Sequence, residues 1–280
     1  MWARVSAAVI VLAVLGPAPS VSAAEDAQEI TYELKLRDGS RLYGTLETEG
    51  TDTVSFRTLT GALVTATRDD IVSLERVTGV VRDGEFLSDD ANRTRLFFGP
   101  TGRALPKGQV YVGTFQIIMP WVQVGVTDRF SIGGGTPLVF GFDESERPFW
   151  VTPRIQVFDR GDLHAGAGVI HVLGFSGDSA GIAYGVMTTG TTSSSLTVGA
   201  GMAYTGDGDR AAVVMVGGDR RVRRNLKLIT ENYIWQGGGG IVSGGVRFIG
   251  DRLSADVGLG IPLFGEGLVV FPIVNFVYVF

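Results

Sequence analysis

The chain ends in LVVFPIVNFVYVF, and these thirteen residues restrict the possible folds more than any other stretch. Read as a strand from Leu268, the segment sets Val270, Val274, Phe276, Tyr278 and Phe280 on one face, because side chains alternate along an extended chain. Asn275 falls on the other face, among apolar neighbours. In water, a strand apolar on nearly both faces and closed by an aromatic end is an aggregation hazard. In a closed barrel within a bilayer it is well placed: its outer face meets hydrocarbon and its backbone is paired on both sides.

The amino-terminal end points to export. Residues 1–23 read as a secretory signal, with Arg4 as the positive region, AAVIVLAVL as the apolar core and Gly16-Pro17 as its break. Val21-Ser22-Ala23 then offers small residues before a cut near Ala24. The apolar run is too short for a spanning helix, which needs about 20 residues, and no later run is longer. Mean hydropathy is nevertheless +0.24, as alternating strands in a membrane barrel would give. With no cysteine, the chain is not a disulfide scaffold and has neither thiol nucleophile nor thiolate metal ligand. A net charge of −5 gives no sign of nucleic-acid binding.

Composition divides the rest. Only seven of the 41 glycines precede Gly99. Residues 29–78 hold five short alternating segments, ITYELKL, RLYGTLETE, TVSFRTL, ALVTATR and IVSLERV, separated by Asp38-Gly39, Gly50, Thr60-Gly61 and Asp69-Asp70. Five such strands predict a small barrel. The run LxDGSxLxG, a TxxGxLxT hairpin and DDIVSLE resemble bacterial SH3-like or Sm-like domains, which implies a binding or assembly role on the periplasmic side. Residues 79–107, including LSDDANRTR, read as a polar linker.

From residue 108 onward, Asp-Arg pairs at 128–129, 159–160, 219–220 and 251–252 suggest turns spaced one hairpin apart. Strands at 109–118, 121–127, 130–140, 149–158, 163–173, 180–189, 195–205, 210–217, 225–235, 241–249, 253–261 and 268–280 then follow. The expected fold is all-β: an antiparallel up-and-down transmembrane barrel over 108–280, of twelve strands, with ten as the alternative, behind the small SH3-like barrel. Both barrel ends and the Asp-Arg turns face the periplasm; the loops near 142–148, 174–178, 206–209, 236–240 and 262–267 face outward. Leu196, Val198, Ala200, Met202 and Tyr204 share a lipid face opposite Thr197, Gly199 and Gly201. Residues 96–280 resemble bacterial outer-membrane β-barrel proteins. That resemblance implies that Val274, Phe276, Tyr278 and Phe280 form the signal read by the barrel-assembly machinery, with Pro272 as a departure from the pattern. It also implies outer-membrane lipid and lipopolysaccharide as surroundings.

Strand parity turns Arg154, Gln156, Lys227, Glu231, Arg247 and Asp256 into the lumen. Charges in a narrow barrel must pair, so the set is either a selectivity path or a network that plugs the barrel. Twelve strands enclose more room than eight and much less than sixteen, which favours a plug or narrow pore over an open porin. The RLFFGPTGR segment (95–103) either anchors at the membrane interface or tucks into the lumen. Arg220, Arg221, Arg223 and Arg224 are placed in one turn, solvated or against anionic headgroups or peptidoglycan acids. His164 and His171 lie on opposite faces of one strand and cannot share a metal. His171, with Asp178, Asp207 and Asp209 in nearby loops, is the one arrangement that could support rim hydrolysis, and it lacks the phospholipase barrel motifs. The four-glycine run 237–240 is in the wrong context for a phosphate loop. The expected function is non-catalytic, without cofactor or metal. It is a narrow channel, or an anchor presenting its small domain to a periplasmic protein or peptidoglycan; a barrel-rim hydrolase or a soluble secreted sandwich is the alternative.

Overall fold

The structure is a computed structural model that describes residues 31–77, 79–82, 85–138, 147–175, 178–250, 252–263 and 269–280. The expected signal peptide and the outer-loop residues 142–146 and 264–267 lie outside the described residues. The chain divides into two compact units, Met1–Arg76 and Val77–Phe280.

In the first unit, β1 (Tyr32–Leu36), β2 (Arg41–Glu49), β3 (Thr53–Thr58), β4 (Leu63–Thr67) and β5 (Ile71–Arg76) form one antiparallel sheet in the order β4-β3-β2-β1-β5. Gly39 and Gly61 hold the hairpin turns at positive φ, where a side chain is disfavoured. A 3-10 turn, Arg68–Asp70, connects β4 to β5. Leu34, Val54 and Phe56 are buried on the sheet's inner face.

The second unit opens with a hairpin, β6 (Gly79–Arg82) and β7 (Glu85–Ser88), and then forms a closed antiparallel barrel. Its first strands are β8 (Val110–Phe115), β9 (Met119–Gly125), β10 (Phe130–Gly135), β11 (Phe149–Val151), β12 (Arg154–Arg160) and β13 (Leu163–Phe175). Longer strands follow: β14 (Asp178–Gly190), β15 (Ser194–Thr205), β16 (Arg210–Arg223), β17 (Leu226–Trp235), β18 (Gly240–Ile249), β19 (Leu253–Pro262) and β20 (Phe271–Val279). Both β11 and β12 pair with β10 on one side and β13 on the other, so together they fill one place in the wall. The break falls at Thr152-Pro153, where proline has no N–H to give the ladder. Twelve places result, and the pairings β20–β8 and β9–β10 close the circle.

Alternation places apolar side chains outside. Val198, Met202, Val214, Val216, Val257, Leu259, Phe276 and Tyr278 are exposed on the outer wall, while Thr197, Ser254, Asp256, Asn275 and Val277 are buried within. The seam between the last and first strands carries a side-chain repair. Phe115 is the last residue of β8 to pair, and beyond it Gln116 turns at φ 51. The Gln116 amide then accepts from Val274 N and donates to the Pro272 carbonyl, at 3.0 and 2.8 Å.

Two expectations are corrected. β16 does not end at residue 217 but runs to Arg223, so Asp219 and Arg220 are in a strand, as Asp159 and Arg160 are in β12, and the turn after β16 falls at Arg224-Asn225. Arg220, Arg221 and Arg223 therefore do not share one turn with Arg224. Asp219 stays in the ladder with its carboxylate turned into the barrel, where Oδ2 accepts from Ser195 Oγ at 2.7 Å and Oδ1 lies 3.1 Å from Lys227 Nζ as an ion pair. The second correction concerns residues 89–106. They form no polar connector but fold inside the barrel, with Asp90, Asn92, Thr94, Leu96, Phe97, Thr101 and Leu105 almost wholly buried.

Candidate functional site: the occupied lumen

The inserted segment is built by local bonds and held by the wall. Asn92 N donates to Asp90 Oδ1 and Arg93 N to the Asp90 carbonyl, which turns the chain as it enters. Farther in, Leu96 N donates to Gly99 O and Thr101 N to Thr94 O, so residues 94–101 double back as a narrow loop. Leu96 and Phe97 sit at its tip against Ile229 and Ile273. Gly99 and Gly102 give the necessary clearance. A Cβ at Gly102 would stand 2.3 Å from the His164 carbonyl oxygen, backbone against backbone.

A backbone with so few internal partners must find others once it is out of water. The barrel supplies them from four of the six sequence-predicted lumen residues, Arg154, Gln156, Glu231 and Arg247, while Lys227 meets a segment side chain and Asp256 holds Arg247. Arg247 donates through Nε and Nη2 to Asp256 at 2.6 and 3.0 Å, through Nη1 to Asp90 at 3.1 Å, and to the carbonyls of Asn92 and Leu96 at 2.9 and 2.6 Å. Lys227 Nζ lies 2.9 Å from Asp90. Glu231 accepts from Phe98 N at 3.1 Å and Gly99 N at 3.0 Å, and from the Tyr233 hydroxyl at 2.7 Å. Arg154 donates to the carbonyls of Thr94, Thr101 and Arg103 at 3.0, 2.7 and 2.6 Å, and Gln156 to that of Gly102 at 3.1 Å.

Further partners lie outside that predicted lumen set. Asn275 donates to the Phe97 carbonyl at 3.0 Å, which accounts for a polar residue on the inner face of the closing strand. Thr188 accepts from Gly102 N at 2.8 Å. Arg103, from the segment itself, donates to Ser195 Oγ and to the carbonyls of Gly190 and Thr191. Arg95 lies over the Trp121 ring, 3.7 Å from its centroid, and donates to Gln123. The Tyr111 hydroxyl donates to the Ala91 carbonyl.

Asp90 is the electrostatic centre of the segment. Burial opposes its ionisation, but Lys227 and Arg247 outweigh that cost and hold its carboxyl well below the usual carboxylate range. Around it, Lys227, Arg247, Asp219 and Asp256 complete a five-membered buried charge network.

The segment leaves space on both of its faces. Toward the barrel end that carries the chain's terminus, a cavity of about 460 Å³ is bounded by Asp89, Arg93, Arg103, Asp128, Asp159 and Asp162. Toward the opposite end, one of about 230 Å³ is lined by Arg95, Phe98, Phe115, Trp121, Trp150 and Tyr184. Residues 100–103, with Arg154 and Gln156, stand between the two.

The two histidines take different partners. His171 Nδ1 is 2.9 Å from the Tyr204 hydroxyl and stacks on its ring, while His164 Nδ1 is 2.8 Å from Asp159. Among the described residues, no group of three metal-ligating side chains is gathered. At the closing strand, Phe276, Tyr278 and Phe280 are exposed on the outer face, and Val274 is half-buried beside them.

No family model and no curated protein matches the chain. Solved structures similar to it include the KdgM porin in complex with disordered oligogalacturonate (TM-score 0.48, 8% identity, covering 61% of this chain and 98% of that one). The NanC porin is similar at TM-score 0.42 and 7% identity, covering 61% of this chain and 97% of that one. A loop L8 deletion mutant of OmpT, an outer membrane protein of Vibrio cholerae, reaches TM-score 0.39 and 14% identity, covering 89% and 96%. The closed twelve-stranded wall, apolar outside and polar within, is a porin-like barrel of the outer-membrane type on its own geometry.

Proposed function

We propose that this protein is an outer-membrane channel, narrow and non-catalytic, held shut by its own residues 89–106. One observation carries the reading: the inserted segment separates two cavities, and the wall holds it through side chains instead of a continuous ladder. Such a stopper can leave without breaking the barrel. The first unit, on this reading, lies in the periplasm. Its strand order and the 3-10 turn before its last strand support an SH3-like module that binds a periplasmic protein or peptidoglycan. The outward row Val274, Phe276, Tyr278 and Phe280 is the feature the barrel-assembly machinery would read, with lipid and lipopolysaccharide around the wall. Removing Phe280 should then lower the yield of inserted barrel more than its melting temperature; normal insertion would contradict that role.

Planar-bilayer conductance tests the channel. Wild-type protein should be closed most of the time. A variant with residues 90–103 replaced by a glycine-serine chain of equal length should conduct steadily. Silence from that variant would leave the anchor role in its place, and equal conductance from both would show that the segment does not close the pore.

A further inference from the structure

The cavity of about 230 Å³ on the far side of the segment has a composition that selects a ligand. Its walls are rings. Phe115 stacks on Trp121 with centroids 5.3 Å apart and 20° between planes, Phe98 meets Phe115 at 5.5 Å, and Trp150 and Tyr184 also line the cavity, as do Met119, Ile170 and Val172, with Gln123 and Thr152 as neutral polar neighbours. Its charge is of one sign. Arg95 and Arg154 both border it, and among the described residues neither has a carboxylate within ion-pair distance. Arg154 is bound to three carbonyls, but Arg95 is not saturated: Nη2 donates to Gln123, while Nη1 and the buried Nε have no hydrogen-bond partner. A buried donor without an acceptor is costly. The lining extends to Met119, the first residue of β9, and to Trp150 in the three-residue β11, toward the barrel end opposite the chain's terminus.

We propose that this cavity is a binding site for a small aromatic carboxylate, its ring between the aromatic walls and its carboxylate on Arg95. Flat apolar walls match a ring face. A half-buried cation with a free N–H matches an anionic acceptor, and a singly charged carboxylate is cheaper to strip of water in such a site than a phosphate. Arg95 is already stacked on Trp121, so its position is fixed before the ligand arrives. The site would hold its ligand whether or not the barrel conducts.

Calorimetric titration of the full chain in detergent with benzoate, benzyl alcohol and acetate tests the proposal apart from conductance. Benzoate should bind saturably, and benzyl alcohol and acetate at least about tenfold more weakly, as expected for loss of a charged hydrogen bond or of the ring contacts. Arg95→Gln should weaken benzoate about tenfold or more and erase its advantage over benzyl alcohol. Trp150→Leu should weaken benzoate while leaving its advantage over benzyl alcohol. No saturable benzoate binding by the wild-type chain, or equal binding of benzoate and benzyl alcohol, would overturn the proposal without reference to any variant.

Discussion

The two walls that grip the inserted segment do so by different chemistry. On β16–β19, Lys227 and Arg247 meet Asp90, Asp219 and Asp256, so the charges are paired and one of the acids belongs to the segment. Along β12–β15, Arg154 of the wall meets segment carbonyls, and Arg103 of the segment meets Ser195 Oγ and two wall carbonyls, with no carboxylate in ion-pair distance of either among the described residues. Removing one member of a buried charge network leaves another charge uncompensated, at about 3–5 kcal/mol. Removing a donor to carbonyls leaves only polar groups unsatisfied, at about 1–3 kcal/mol. The first wall therefore works as a latch, and the second as a set of positioning contacts beside the two cavities.

The largest effect should come from Arg247→Met. It leaves Asp256 buried without a cation and frees the carbonyls of Asn92 and Leu96, so the segment should loosen by about 3–5 kcal/mol and conductance should rise sharply. Arg154→Met should have a smaller effect, about 1–3 kcal/mol, seen as brief openings in bilayer recordings with the latch still closed. If the two variants behaved alike, the distinction between the walls would fail.

Acid gives the smallest effect over ordinary conditions. Asp90 is depressed in the folded state, so its contribution is fully present above its unfolded value, about 4, and is lost as pH falls through the folded value. Loss of the Asp90 contribution should thus raise conductance only well below pH about 4. Opening near neutral pH would mean that some group other than Asp90 controls the latch.

Much of the barrel was legible because its signals are periodic. The twelve places, the outward row on β15 and the inward set Arg154, Gln156, Lys227, Glu231, Arg247 and Asp256 all follow from alternation. The end of β16 did not, since an Asp-Arg pair looks like a turn until Ser195 and Lys227 are known to face it. The inserted segment has no period, and its polarity suits a solvated connector as well as a bonded one. Two clues were available: RLFFGPTGR is too apolar for a connector, and the predicted lumen set holds three cations against two anions. The missing acid is Asp90, which lies outside the barrel sequence and becomes a lumen residue only when the chain turns inward.

Hydrogen–deuterium exchange of the segment's amides tests the two-wall account most directly. In Arg247→Met, protection at Leu96, Phe98 and Gly99 should be lost together, because the whole loop is released. In Arg154→Met, loss should be confined to Thr101 and Gly102. Equal loss along the segment in both variants, or retained protection in Arg247→Met, would contradict the account.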